Sequence, residues 1–157
     1  MTIEKIDYKV LRDFELGVNA NLQTTQEHLQ RLCPLNEVEC FKLVLEEYDI
    51  HRIFFCTAPD FATYTQNHSF RLEDTCEAAR IDPIVSCLLE KNIDLSNSDH
   101  WAPVFISPKI AGSLVALDGN HRLMAHFLMH KSTKGIHAFL FVHQNSIDWP
   151  WFPNNAK

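Results

Sequence analysis

The chain has 157 residues, of which 46% are hydrophobic, and its formal net charge at pH 7 is −6. This length is that of one ordinary domain with a real core, and the apolar content excludes a disordered chain. Residues 1–69 carry six Lys and Arg against eleven Asp and Glu, so no basic stripe that would neutralise nucleic-acid phosphates is visible. We therefore expect no DNA or RNA partner.

The N-terminal residues and the hydropathy pattern give an expectation about location. The chain is charged from Glu4 onward and has no apolar secretion-signal segment, and no stretch approaches the ~18 apolar residues of a membrane span. We expect a cytoplasmic protein that does not enter a membrane. The cysteines form no CxxC pair and are expected to be reduced thiols: Cys33, Cys40, Cys56, Cys76 and Cys87.

Residues 1–69 are predicted to form a mostly helical N-terminal extension. Residues 24–27 have the form of a capping box before a first helix, and Asn36 with Glu39 repeats that form. Apolar residues after the second box recur at helical spacing and predict a helix with one buried face: Val38, Phe41, Leu45 and Tyr48.

Residues 70–145 are predicted to form an α+β core. A buried strand over 52–57 and an irregular hairpin arm over 60–69 lead into it. Asp82-Pro83 starts a helix, because Asp caps the helix and Pro sits where its missing N–H costs nothing. The remaining predicted elements are a loop over 92–102, strands over 104–107, 113–118 and 136–142, and a helix over 120–131.

The tail, residues 146–157, is aromatic and too rich in proline for a helix or a central strand. Two interpretations of Trp149, Trp151 and Phe152 stay open. The rings either pack back onto the core, or they cover a ligand pocket or a protein partner. Since no repeat or linker separates the three regions, we expect a single compact domain.

The most informative segment is residues 117–125, where a β-prone run ends in Asp118-Gly119 and a polar triplet opens a helical pattern. Glycine permits a tight turn and a close approach of a ligand to the backbone. The first N–H groups of the following helix form an anion site, to which His121 and Arg122 add donors. A cation in the first helical turn is unfavourable unless an anion shares the site, so Arg122 either contacts a phosphate or is an ordinary surface or salt-bridge arginine. The pattern predicts a phosphate-binding turn of a non-Walker type.

The neighbouring polar residues allow two interpretations each. Asp118 either stabilises the turn, or orients Arg122 or holds Mg²⁺ against phosphate oxygens. Asn120 either caps the helix or contacts the ligand. His121 either contacts the ligand or makes a structural hydrogen bond.

His126 and His130 lie four residues apart on the predicted helix, a spacing that can hold zinc. No cysteine or carboxylate lies at a matching short spacing, and the glutamate of an HExxH motif is absent. We therefore expect a partly exposed pair of histidines, and the sequence predicts no metal ligands.

The order strand, Asp-Gly-Asn-His-Arg, helix resembles the signature of the ParB/sulfiredoxin superfamily, whose members bind nucleotide phosphates at this turn. The resemblance covers residues 70–145 and implies a small mixed sheet with packed helices. Outside the motif it rests on an opening strand over 70–74, a first helix over 82–91, a strand over 103–107 and a strand over 136–142.

The resemblance implies ATP or another nucleotide with Mg²⁺ as cofactors. It places the nucleotide on Gly119, Asn120, His121 and Arg122, with Arg80 as a second phosphate contact. In free-serine kinases of the superfamily, the stretch before the first helix supplies a glutamate base, which corresponds to Glu77. Glu77, Asp118 and His121 are therefore the catalytic candidates.

Two departures narrow the function. Sulfiredoxins carry a cysteine in the slot that Asn120 fills here, so sulfinic-acid reduction is not expected. ParB partition proteins continue into a helix-turn-helix, which does not follow the core in these residues, so centromere binding is not expected. The sequence predicts an ATP-dependent phosphotransferase that acts on a small metabolite such as an amino acid. The alternatives are a ParB-like nuclease and a non-catalytic nucleotide-responsive module that contacts a protein through its N-terminal helices or aromatic tail.

Overall fold

Six strands form one mixed sheet in the computed structural model, which describes residues 1–7, 30, 31, 34, 37–96, 99 and 101–157. The strands are β1 (Thr2–Ile6), β2 (Glu39–Val44), β3 (Ile53–Phe55), β4 (Val104–Ser107), β5 (Leu114–Asp118) and β6 (His137–Val142). The described α-helices are α1 (Pro59–Thr63), α2 (Pro83–Glu90) and α3 (Asn120–His130). This arrangement confirms the predicted α+β class.

The strand order is β1-β2-β6-β4-β5-β3. Neighbours are antiparallel except for β6 with β4 and β5 with β3, which are parallel. Phe55, Phe105 and Phe141 come from three different strands and are among the largest fully buried side chains. Each such burial stabilises the fold by roughly 1.5–3 kcal/mol. The strands before and after residue 70 therefore share one core.

The helix predicted over residues 36–48 is wrong, because its centre is the strand β2. Helical spacing would bury Tyr48 with Phe41, yet Tyr48 is 64% exposed and Phe41 is buried. Strand β2 pairs with β1 on one side and with β6 on the other, so both ladders satisfy its backbone. Tertiary pairing of this kind overrides local helical pattern.

The other secondary-structure predictions for residues 1–69, apart from the strand over 52–57, are either wrong or lie outside the described residues. The capping box at 24–27 lies outside the described residues. The hairpin arm predicted over 60–69 is wrong, since α1 and a 3₁₀-helix over Gln66–His68 occupy that segment. The described part of residues 1–69 supplies three strands of the sheet, so that part is not mostly helical.

The opening strand that the resemblance implies over 70–74 is also absent from this described segment. Phe70 has a φ of 57°, which interrupts an extended backbone, and residues Leu72–Asp74 form a 3₁₀-helix. Only an isolated bridge between Arg71 and Phe54 joins the segment to the sheet.

The predictions for the later elements are confirmed. Strands β3, β4, β5 and β6 and helix α3 lie where the pattern placed them. Asp82 caps α2 through Oδ1, which accepts from the amides of Ile84 at 2.8 Å and Val85 at 3.0 Å. Helix α3 has 11 residues, and no helix in the described part of the chain has the length and apolar character needed to cross a membrane.

The aromatic tail packs back onto the core. Trp149 and Phe152 are buried, and the amide of Thr57 donates to the carbonyl of Trp151 at 2.9 Å. The Trp151 side chain itself is exposed. Of the two interpretations of the tail, core packing accounts for Trp149 and Phe152.

Candidate functional site

The turn between β5 and α3 requires glycine. Gly119 has a φ of 86°, in the left-handed region, where a side chain is strained. A Cβ atom there would lie 3.0 Å from Pro103 Cβ and 3.0 Å from Arg122 Nη2. The turn therefore packs so closely against the residue before β4 that even alanine would require Pro103 or Arg122 to shift by a few tenths of an ångström.

Helix α3 presents its N-terminus directly after this turn. The amide of Leu123 donates to the carbonyl of Gly119 at 2.9 Å and closes the first turn. Amides before that point have no acceptor within the helix and form its positive end. The first turn contains no acidic residue but does contain His121 and Arg122. The amides at this end of the helix and the two basic side chains together favour the binding of an anion.

Arg122 is nearly buried and is held by Asp118. Its Nη2 donates to Asp118 Oδ2 at 2.6 Å, and its guanidinium carbon lies 5.9 Å from the centroid of the Trp101 ring. The carboxylate offsets the cation at the positive end of the helix. Of the interpretations of Asp118, the one in which it orients Arg122 agrees with this geometry.

The side chain of Asn120 makes hydrogen bonds to the backbone of the protein itself. Its Oδ1 accepts from the amide of Cys56 at 3.2 Å, and its Nδ2 donates to the carbonyl of Ala116 at 3.3 Å. Gly119, not Asn120, occupies the N-cap position of α3, so of the two interpretations of Asn120 the helix cap is wrong. Its side chain instead ties the end of β3 to β5.

His121 lies between an acidic and an aromatic neighbour. Its Nε2 is 3.7 Å from Asp82 Oδ2, and its ring meets Phe61 edge to face at 5.1 Å between centroids. Burial lowers the pKa of His121, against the opposing charges of Asp82, Asp60 and Asp118. The lowered pKa favours the neutral imidazole at pH 7. The side chain of His121 is 31% exposed, so the ring is accessible to solvent.

Asp82 joins this group through Oδ2, an atom that its capping role does not use. The hydroxyl of Tyr64 donates to Oδ2 at 3.2 Å. The Asp82-Pro83 pair indicates a helix cap, and Asp82 is also a second candidate base behind Glu77, whereas no sequence pattern indicates Tyr64. No short spacing links either residue to His121, because separate elements bring them together.

Glu77 and Arg80 form an ion pair with each other in the 3₁₀-helix Glu77–Ile81, which precedes α2. The side chain of Glu77 is 72% exposed and that of Arg80 is also exposed. Because the two side chains pair with each other, this ion pair does not connect either of them to the β5–α3 turn. Their roles as base and phosphate contact stay predictions.

The other end of α3 differs from the sequence expectation. His126 is only 2% exposed, so the prediction of a partly exposed histidine is wrong for this residue. The amide of Leu95 donates to His126 Nδ1 at 3.1 Å, and burial followed by the charge of His130 lowers the pKa of His126 to about 4. Asp94 Oδ1 lies 3.7 Å from the same nitrogen.

Comparison with known proteins gives no family assignment. No family model, no curated protein and no solved structure matches the chain. The resemblance of residues 117–125 to the ParB/sulfiredoxin signature therefore stays an expectation from sequence.

Proposed function

We propose that the β5–α3 turn binds the phosphate groups of ATP or a related nucleotide, and that the protein transfers or hydrolyses a phosphoryl group. The acceptor in this proposal is a small metabolite such as an amino acid. One observation carries it: a left-handed glycine precedes an 11-residue helix whose first turn holds His121 and Arg122 and no acid. Phosphate binds at helix N-termini through the amides and the dipole.

The charges around the turn support a phosphate that is accompanied by a divalent cation. Asp60, Asp82 and Asp118 all act on His121, and they would repel a bare anion. Carboxylate oxygens are the ligands that Mg²⁺ prefers, so Asp118 and Asp60 fit the cation better than the anion. When bound, Mg²⁺ would neutralise charge on the phosphate oxygens.

His121 is the proton acceptor that the geometry favours. Phosphoryl transfer to a hydroxyl needs a positioned base near the phosphate. His121 stands in the first turn of α3, has a pKa that burial lowers, and has its Nε2 3.7 Å from Asp82 Oδ2. Glu77 is engaged by Arg80 instead. We therefore assign the base to His121 ahead of Glu77.

Calorimetric titration with ATP and Mg²⁺ tests the binding part of the proposal. Replacing Arg122 by Ala should weaken binding by about 2–4 kcal/mol, the scale for a charge-assisted contact in a desolvated site. Arg122→Lys keeps a charge beside Asp118 but loses the paired donors. Its ATP affinity should therefore lie between that of the wild type and that of Arg122→Ala.

Arg71→Ala is the matched control, since it removes a partly exposed arginine that pairs with Glu73 and is not a candidate nucleotide contact. It should leave affinity nearly unchanged. Equal affinity of wild type and Arg122→Ala, with both proteins folded by circular dichroism, would contradict the assignment of the turn.

Release of ADP or AMP in the presence of a mixture of small metabolites tests the catalytic part. If His121 is the base, His121→Asn should slow turnover by roughly 10²-fold or more while nucleotide affinity stays nearly constant. Glu77→Gln should then keep most of the activity. Loss of activity in Glu77→Gln alone would move the base to Glu77.

Tight binding without turnover in the wild type would instead indicate a nucleotide-responsive module. Metal-dependent nicking of a plasmid would indicate a nuclease.

A further inference from the structure

A second cluster of chemistry-bearing side chains lies at the C-terminal end of α3. Asp94, from the loop after α2, joins His126 and His130, and one donor atom from each lies within 4.8 Å of the others. The two imidazole rings are 4.5 Å apart between centroids. The group contains the two ligand types, imidazole and carboxylate, that zinc sites share.

The buried histidine of the cluster is already in the tautomer that a ligand at Nδ1 requires. Because the Leu95 amide donates to Nδ1 at 3.1 Å, the ring proton lies on Nε2. The ring also hydrogen-bonds the backbone of Ser132, and since Nδ1 accepts from Leu95, Nε2 is the nitrogen left to donate to that carbonyl. Metal-binding histidines usually donate their second N–H to such a carbonyl, which fixes the ring. His126 therefore has the outer support of a ligand.

We propose that Asp94, His126 and His130 bind a divalent transition metal of the zinc type, through one carboxylate oxygen and two imidazole nitrogens. Four residues along α3 separate the two histidines, so both can reach one ion from the same face. Donor atoms on a tetrahedral zinc lie about 3.4 Å apart. Binding would require the exposed side chains of Asp94 and His130 to turn away from their present contacts with Ser96 and Ile93 and bring the donors to that separation.

The ion would replace the Leu95 amide as the partner of Nδ1 and would link the loop 93–95 to α3. Three protein ligands leave a fourth position, and the exposure of Asp94 and His130 opens it to solvent. The competing role is purely structural, in which His126 only anchors the loop through Leu95. This inference is independent of the function proposed for the β5–α3 turn.

Calorimetric titration of the chelator-treated full chain with Zn²⁺ alone tests the site. We expect one ion per chain, with affinity lowered at least 100-fold by His130→Ala and at least ~10-fold by Asp94→Asn. Both variants change exposed side chains and should fold. Zn²⁺ should raise the Tm of the wild type by ~5 °C and leave that of His130→Ala unmoved.

His68→Asn is the matched control. It also removes an exposed imidazole, and asparagine tolerates the positive φ of 53° at that position. Its zinc affinity should equal that of the wild type. Cobalt in place of zinc gives a spectrum that distinguishes nitrogen and oxygen ligands from thiolate.

Three results would overturn the proposal. The first is no zinc binding by the wild type. The second is a zinc affinity of His130→Ala and Asp94→Asn that equals the zinc affinity of the wild type. The third is a thiolate-to-cobalt band that disappears in Cys87→Ser, which would assign the metal to an exposed cysteine. Each of them would leave the cluster as a structural contact of His126.

Discussion

The clustered side chains at one end of helix α3 are contiguous in sequence, whereas those at the other end are not. At its N-terminus, Gly119, His121 and Arg122 are neighbours in sequence, and the turn is visible in the pattern alone. At its C-terminus, His126 and His130 share a face, but Asp94 arrives from the loop after α2. A site built from one contiguous segment can be recognised by spacing, whereas a site completed by a distant loop cannot. Experiments at each end of α3 test whether this contrast also distinguishes a ligand-binding end from an end with a purely structural role.

The largest expected effect concerns the turn. Gly119→Val should destabilise the protein by about 3–4 kcal/mol, because a branched side chain at a φ of 86° adds left-handed strain to collisions with Pro103 and Arg122. Denaturant unfolding measures the loss.

Gly135→Val is the control from beyond the other end of α3, at a φ of 81°. It should cost about 1–2 kcal/mol from backbone strain. Equal losses in the two variants would show that the packing at Gly119 has no special role.

The pH dependence of stability examines the C-terminal end. His126 titrates at about 4 in the fold and near 6.5 when unfolded. Between those values the unfolded chain binds the additional proton, so the free energy of unfolding falls as pH drops from 6.5 towards 4. The loss reaches about 3 kcal/mol.

Unfolding of metal-free protein at pH 7 and pH 4.5 measures this loss. His126→Gln should show a smaller difference between the two pH values, since the carboxylates contribute equally to both proteins. Identical pH dependence would mean that His126 is not held neutral by burial.

Asn120 provides a smaller test at the N-terminal end. Asn120→Ala leaves the buried amide of Cys56 without its acceptor, which should cost about 2 kcal/mol of stability. Nucleotide affinity of the folded variant should change little, because the side chain serves Cys56 and Ala116. A loss of affinity without a loss of stability would return Asn120 to the ligand contacts.

The same contrast explains what could be predicted from sequence. Helix α2 and strand β5 follow local signals, namely the Asp82-Pro83 cap and an apolar run that ends in Asp118-Gly119. Strand β2 could not be predicted, because its conformation depends on pairing with β1 and β6, and its apolar residues also fit a helical spacing.

The candidate site divides in the same way. The glycine turn and Arg122 were predicted from contiguous residues. The approach of Asp82 and Tyr64 to the turn depends on how α1, α2 and α3 pack, which no local spacing encodes. The internal use of Asn120 was missed for the same reason, because its partner Cys56 belongs to a distant segment.

The central claim is that a phosphate group binds at the first turn of α3. Nuclear magnetic resonance titration of ¹⁵N-labelled protein with ATP and Mg²⁺ tests it most directly, because each backbone amide reports its own hydrogen bond. We predict that the largest shift changes fall on the amides of residues 119–122 and that adenosine, which lacks phosphate, leaves them unmoved. Unchanged amides at saturating ATP, or changes centred on Glu77–Ile81, would contradict the claim.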